Sequence, residues 1–213
     1  MGKPRSPKGR AKLVAERLTV EFPEAVCELN HRNPFELLAA TILSAQCTDV
    51  RVNTVTPTLF ARYPTPYDLA VAKQEDVEAI VRSTGFYANK ARSVIGMASA
   101  LVERFEGEVP TTMEDLVTVP GTGRKTANVV RSVAFDLPGL PVDTHVGRLA
   151  IRLGLTEQID PVKVEMELNA MIAPAERGRF SLRLILHGRR TCEARKPRCG
   201  DCTLNDFCPS SEV

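Results

Sequence analysis

Tryptophan is missing from this 213-residue chain, and aromatic residues of every kind make up only 5% of it. Apolar residues still reach 43%. That is an ordinary share for a soluble protein, so a core can be built largely from aliphatic side chains. No apolar run approaches the ~20 residues of a membrane-spanning helix, because Lys, Arg or Glu interrupts each amphipathic stretch. A secretory leader is missing too: Met1–Lys12 holds five cations and no acid, with no apolar segment. Turn signals for β-hairpins are absent, even beside windows with some β-propensity such as Val129–Val133. There is no internal repeat, and no low-complexity segment beyond residues 1–10. What remains is an intracellular globular protein of one large domain or two small lobes.

The periodicity that is present is helical almost throughout. Leu13, Val14 and Leu18 form an apolar stripe over Ala11–Phe22. Asn33-Pro34 opens the strongly apolar Pro34–Ala45 as an N-cap followed by proline at the first helical position. Thr48–Tyr63 continues, with an interruption expected near Pro57, and Glu75–Arg82 follows. Ala91, Val94, Ala98, Leu101 and Phe105 mark one face of Ala88–Phe105. Further helices are expected over 112–118, 123–135, 144–154, 161–171 and 176–187. The fold class is therefore all-α with short connections.

A net charge of only +2 conceals segregation. Residues 1–12 carry +5, and residues 177–198 carry +7 from eight Arg or Lys against Glu193. Two basic ends on a nearly neutral chain point to a polyanion met by one surface. Residues 1–12 read as a floppy tail, and 177–198 as a binding surface.

Cys192, Cys199, Cys202 and Cys208 follow the spacing C-x6-C-x2-C-x5-C within seventeen residues. Structural zinc sites usually present short Cys pairs, whereas one C-x-x-C flanked by two distant cysteines suits a [4Fe–4S] cube. Spacing leaves both metals open. A disulfide framework fits poorly with a chain lacking a leader. The loop between the first two ligands presents Arg195, Lys196 and Arg198. Cys27 and Cys47 lie in helical patterns and read as reduced thiols.

Residues 119–128 read Val-Pro-Gly-Thr-Gly-Arg-Lys-Thr-Ala-Asn. A short helix ends, Gly121 and Gly123 permit positive φ and leave amides uncovered, and a new helix begins. Its free N–H groups and dipole end suit one phosphate, and Arg124, Lys125 and Thr126 strengthen that reading over a plain helical corner. Lys125 sits in the first turn, where positive potential favours its neutral, nucleophilic form. Asp143 precedes the next apolar-periodic segment. It reads either as a simple N-cap or as a carboxylate partner of Lys125, or as both at once. His145 beside it reads as a supporting or DNA-contacting group.

Several of these segments together are similar to the endonuclease III family of DNA glycosylase/AP lyases, within the helix-hairpin-helix glycosylase superfamily. The likeness spans roughly residues 28–208. It is carried by Asn33-Pro34-Phe35-Glu36-Leu37-Leu38, Leu43-Ser44-Ala45-Gln46 with Thr48-Asp49, the hairpin Pro120–Asn128, Val142-Asp143-Thr144-His145, Ile185–Arg189 and the four cysteines. The resemblance implies a [4Fe–4S] cluster on those cysteines, Lys125 as Schiff-base nucleophile and Asp143 as its carboxylate partner. It implies a six-helix lobe over 27–137 and a cluster lobe from 1–26 and 138–213, with the active site in the cleft between them. It also implies a bacterial, cytoplasmic, nucleoid-associated monomer. Such an enzyme removes oxidised pyrimidines from duplex DNA and cleaves abasic sites by β-elimination. Gln46 matches the plug that fills the gap left by a flipped nucleotide. Phe86 stands where the family usually has an aliphatic wedge, a departure that bears on the choice of opposite base.

Two other readings compete. An adenine-mismatch glycosylase shares fold and cluster, but that class generally lacks the hairpin lysine and has a catalytic Glu near Ile42. This chain has Lys125 and no acid between Leu37 and Gln46. A non-catalytic, cluster-bearing DNA-binding module is compatible with the fold alone, but not readily with the presence of both Lys125 and Asp143.

Overall fold

The computed structural model describes residues 6–213. Regular structure among them is entirely helical. In chain order the α-helices are α1 (Pro7–Glu21), α2 (Pro34–Leu43), α3 (Asp49–Arg62), α4 (Pro66–Ala70), α5 (Gln74–Val81), α6 (Tyr87–Phe105), α7 (Met113–Leu116), α8 (Arg124–Ala134), α9 (Thr144–Arg152), α10 (Pro161–Met171) and α11 (Arg177–Arg190). None is long and apolar enough to cross a membrane. The chain divides into two compact units. One is continuous, Cys27–Asp136, and the other joins the segment up to Val26 to Leu137–Val213.

The continuous unit is built around α2. Asn33 caps this helix by accepting a hydrogen bond from the Glu36 amide at 2.9 Å, and every residue from Phe35 to Leu43 is buried. A helix apolar on all sides belongs inside a bundle, and α2 packs on α3, α6 and α8. Leu38, Leu43, Leu59, Met97 and Leu101 are fully buried in this core. Each contributes roughly 1.5–3 kcal/mol through the area it removes from water. Glu36 is also buried, at 2% exposure. Its carboxylate accepts hydrogen bonds from the Arg32 amide at 2.8 Å and from the Arg32 guanidinium at 2.8 and 2.5 Å. A buried charge needs that degree of pairing.

One expectation for this unit is corrected, and one helix is added to those that periodicity marked. The unit holds seven α-helices. The one left unread is α4, which a Thr65–Asp68 capping box and Pro66 in its first turn start over only five residues. Pro57 does not interrupt α3. It lies on the exposed face, where water can hydrate the carbonyl that proline leaves without a donor.

The other unit corrects the reading of residues 1–12 as a tail. Residues 1–5 lie outside the described residues, but Ser6 caps α1 by accepting from the Gly9 amide at 3.1 Å. Helix then runs from Pro7. Arg10 is spent internally, donating to the Gly154 carbonyl at 2.6 and 3.1 Å. Ala11, Val14 and Leu18 are fully buried, and α1 packs on α10 and α11. Helix α11 also packs on α9. It buries Phe180 and Leu184, and it carries Arg183, only 6% exposed, which donates to the Phe22 carbonyl at 3.3 Å.

Candidate active site and cysteine centre

In the continuous unit the turn between α7 and α8 is closed by a hydrogen bond from the Thr122 amide to the Val119 carbonyl at 3.0 Å. The two glycines do different work. Gly121 has φ +78, and a Cβ there would lie 3.1 Å from Ser93 Cβ and 3.3 Å from two carbons of Ile42. It is needed both for the left-handed turn and for close approach to α2 and α6. Gly123 has φ −84, which any residue adopts, so the expectation of positive φ holds for Gly121 alone. A Cβ on Gly123 would meet no protein atom within 4 Å. Gly123 is the N-cap of α8 and supplies no side-chain cap. It adds no side chain over the first-turn N–H groups and leaves the approach to them uncovered. Thr122 Oγ1, buried between the glycines, has no hydrogen-bond partner among the described residues.

Arg124 and Lys125, the first two residues of α8, are exposed. No hydrogen-bond or ion-pair partner restrains the Lys125 amine among the described residues. A helix N-terminus with no side-chain cap and cations beside it can grip a phosphate and present an amine to what the phosphate carries.

Gln46 and Phe86 belong to the same unit. Both are exposed, and both are left-handed, with φ 52 and φ 47. Non-glycine residues held there cost of order 1–3 kcal/mol and persist where the surroundings impose them. Gln46 sits in the turn between α2 and α3. Phe86 directly precedes α6, follows Gly85 at φ +71 and is 65% exposed.

In the other unit Asp143 caps α9. Its Oδ1 accepts from the amides of His145 and Val146 at 2.8 and 2.9 Å. Oδ2 has no partner among the described residues. One oxygen thus fixes the side chain and leaves the other for chemistry. His145 Nδ1 accepts from Arg148 Nη2 at 3.3 Å. Gly188 of α11 lets these side chains in: a Cβ there would come within 3.0 Å of His145 Nδ1 and 3.2 Å of Arg148 Nη2.

All four C-terminal cysteines are free thiols and line one cavity, together with Arg152, His187, Asn205 and other residues of α9, α11 and the last loop. Its empty space is about 420 Å³ including the mouth. No three His, Cys, Asp or Glu among the described residues converge tightly enough to hold a single metal ion. The sulfurs are well provided with donors. Arg152 Nη1 donates to Cys192 Sγ at 3.3 Å and the Leu204 amide to Cys202 Sγ at 3.4 Å. His187 Nε2 lies 3.4 Å from Cys202 Sγ and its Nδ1 3.1 Å from Glu21 Oε1. Burial pushes the Cys202 thiol up to about 11, the Leu204 amide opposing it and Cys192, Cys208 and Glu21 adding to it. Burial also raises Cys208. A bound cation would favour the thiolate forms of Cys202 and Cys208 against that burial.

Arg195, Lys196 and Arg198 are exposed on the loop between Cys192 and Cys199. Arg152 ties that loop down, donating to the carbonyls of Glu193 at 2.8 Å and Ala194 at 2.7 Å. Arg148 Nη2 does the same for Gly188 and Cys192, at 3.0 and 2.9 Å. Arg198 faces Glu193 at 3.9 Å, whereas Arg195 and Lys196 have no partner among the described residues.

The residues fall into two groups. Gln46, Phe86, Gly121, Gly123, Arg124 and Lys125 belong to one unit, and Asp143, His145, the loop cations and the cysteines to the other. The sequence reading missed Arg148, Arg152, His187 and Glu21 as supports of the cysteine loop. The pair Arg148 and Arg152, one turn apart on the helix that Asp143 caps, was the available signal.

Comparison with known proteins agrees with this geometry. Residues 39–174 match the model of the HhH-GPD superfamily base excision DNA repair proteins. The chain is 49% identical to the endonuclease III of Synechocystis over 98% of its own length and 95% of the relative's. Among solved structures, a non-covalent endonuclease III–DNA complex superposes with a TM-score of 0.90 at 44% identity, covering 95% of each chain. A trapped endonuclease III–DNA covalent intermediate gives 0.91 at 44% identity, over 95% of this chain and 96% of the other. With the hairpin, the capping aspartate and the cysteine loop all in place, this chain belongs to the endonuclease III family of the HhH-GPD superfamily.

Proposed function

We propose that the protein excises oxidised pyrimidines from duplex DNA and then cuts the strand, with Lys125 as nucleophile and Asp143 as its carboxylate partner. Membership of the family makes it a base-excision DNA glycosylase and AP lyase. The observation that carries the residue assignment is the unpartnered Lys125 amine in the first turn of α8, beside amides with no side-chain cap and an uncovered Gly123.

A base inside the helical stack is out of reach, so the nucleotide leaves it. The turn Gly121–Gly123 with Arg124 binds one backbone phosphate, Gln46 fills the vacated space, and Phe86 wedges the opposite strand. His145 contributes a further DNA contact. The Lys125 amine attacks C1′ through its nitrogen lone pair. Its N–C1′ bond forms as the C1′–base bond breaks, and the base leaves with the bonding pair and takes a proton from water. Asp143 Oδ2, not committed to the cap, takes the lysine proton and stabilises positive charge on the sugar. Opening of the sugar ring gives the Schiff base. Loss of a C2′ proton then expels the 3′ phosphate by β-elimination, and water releases Lys125.

Cys192, Cys199, Cys202 and Cys208 would hold a [4Fe–4S] cluster. An all-thiol donor set lining one cavity fits a cluster whose irons occupy separate corners. Bound there, it supplies four iron–thiolate bonds that close the loop. Arg195, Lys196 and Arg198 on that loop bind phosphates. The protein acts as a monomer in the cytoplasm, on the nucleoid.

The test is borohydride trapping on duplex DNA carrying an oxidised pyrimidine. Wild-type protein becomes covalently joined to the DNA. Lys125→Gln should bind the same duplex with little change in affinity and give no adduct, base release or strand cleavage. A trapped adduct in Lys125→Gln would show that another amine is the nucleophile.

A further inference from the structure

Lys90 is a buried cation that the mechanism above does not use. It lies in the first turns of α6 with only 5% of its surface exposed, a rare place for lysine. Its Nζ donates to the Thr84 carbonyl at 2.7 Å, and no other partner is found among the described residues. Burial lowers its proton affinity, and the sulfur of Cys47 lies near enough to oppose that shift. Cys47 is the residue after Gln46.

The carbonyl that Lys90 holds belongs to a strained segment. Thr84 ends a 3-10 turn (Arg82–Thr84), and Gly85 and Phe86 follow, both left-handed, at φ 71 and φ 47. Thr84 is itself buried at 3%, with its hydroxyl donating to the Val81 carbonyl at 2.8 Å. The Phe86 carbonyl then accepts the Lys90 amide at 3.0 Å, the first bond of α6. Lys90 thus grips the two-residue turn at both ends, through its backbone at Phe86 and its ammonium at Thr84. Two consecutive left-handed residues, one of them phenylalanine, need such outside support. An apolar side chain at position 90 would fill the core as well and give the turn no donor.

We propose that Lys90 is a positioning residue for duplex opening: its buried ammonium, on the Thr84 carbonyl, holds the Gly85–Phe86 turn so that the Phe86 ring is presented for insertion. This rests on the reading of Phe86 as the wedge.

The full-length protein is mixed with a duplex carrying 2-aminopurine beside an uncleavable abasic analogue. The rise in fluorescence reports unstacking. Lys90→Met should slow that rise roughly ten- to a hundred-fold, the range set by one lost hydrogen bond to a charged donor. Lys90→Arg, which keeps a cationic donor, should recover most of the rate. Lyase activity on single-stranded abasic DNA, where no stack is opened, should stay at wild-type level in both, and Lys90→Leu replaces Lys90→Met if the latter does not fold. Wild-type opening by Lys90→Met while Phe86→Ala is slow overturns the role of Lys90 alone. An equal loss of single-strand lyase activity overturns it too, by showing a general defect. Wild-type opening by Phe86→Ala overturns the wedge reading, and this inference with it.

Discussion

Replacing Arg152 by Met tests how the basic loop is held. The guanidinium makes three hydrogen bonds: to Cys192 Sγ at 3.3 Å, the Glu193 carbonyl at 2.8 Å and the Ala194 carbonyl at 2.7 Å. Methionine keeps most of the apolar stem, so the change removes donors rather than packing. In this half-exposed setting each bond contributes about 1 kcal/mol, and the three together about 3 kcal/mol. For a chain of this length that corresponds to a fall in Tm of roughly 6–12 °C. Calorimetry measures the fall. Limited trypsin digestion localises it, because cleavage after Arg195 and Arg198 requires the loop to open. The variant should be cut there several-fold faster than wild type while sites in α6 and α8 are cut no faster. A Tm within about 1 °C of wild type together with unchanged cleavage at the loop would refute the argument that Arg152 anchors it.

Other expectations follow from single observations. Asp143→Asn keeps an acceptor for the cap, so it should lower Tm by no more than a few degrees while slowing base release by orders of magnitude; a change in Tm alone would leave Asp143 as a cap only. Gly121→Ala forces φ +78 on a side chain already 3.1 Å from Ser93 and should destabilise the protein by about 1–3 kcal/mol, whereas Gly123→Ala, with open space around its Cβ, should melt normally and bind DNA less tightly. In iron-free protein Cys202, raised from 9.0 to about 11, should be alkylated at pH 8 about 100-fold more slowly than an ordinary thiol, because the thiolate reacts. The sign is that reactivity appears only as pH climbs toward 11, and a midpoint near 9 would contradict it. Changing Arg195, Lys196 and Arg198 together to Ala should flatten log K against log salt by about two to three units, near 0.9 per phosphate released, and an unchanged slope would place the DNA surface elsewhere.

Much of the fold was legible because its signals are local. Asn33-Pro34 opens α2, and the apolar face of α6 recurs at Ala91, Val94, Ala98 and Leu101, all buried at 7% exposure or less. The hairpin was legible for the same reason, its glycines, cations and helix start being contiguous. Helix α4 was missed because it has five residues and no period to detect; only its capping box marks it. The supports of the cysteine loop were missed for the opposite reason. Arg148 and Arg152 reach partners about 40 positions away, and His187 reaches back to Glu21 across 166. The spacing of Arg148 and Arg152 on α9 is local, but the partners they reach are not. The identity of a glycine was legible, but its reason was not: Gly121 is dictated by the protein's own turn and packing, Gly123 by space left for something else.

Charge shows the same limit more sharply. The sequence counts +7 over residues 177–198 and offers all of it to a polyanion. In the folded unit Arg177 donates to the carbonyls of Asn169 and Ile172, Arg183 to that of Phe22, and Arg190 lies over the Phe22 ring at 5.6 Å. These cations hold α11 to its neighbours. At the other end Arg10 is bound to Gly154 and Arg17 to Asp206. An arginine whose donors are filled by carbonyls has few left for a phosphate, so its formal charge overstates what DNA can use. Arg195 and Lys196 differ in kind. They stand on a loop whose backbone is fixed by Arg152 and whose two ends are cysteines, and their own side chains are unspent. A fixed backbone lowers the entropy lost when such side chains meet a phosphate. On the proposed reading the cysteine centre bears on DNA binding through the backbone it closes, and the described basic residues at the two ends divide into cations that build the protein and a smaller set left to bind.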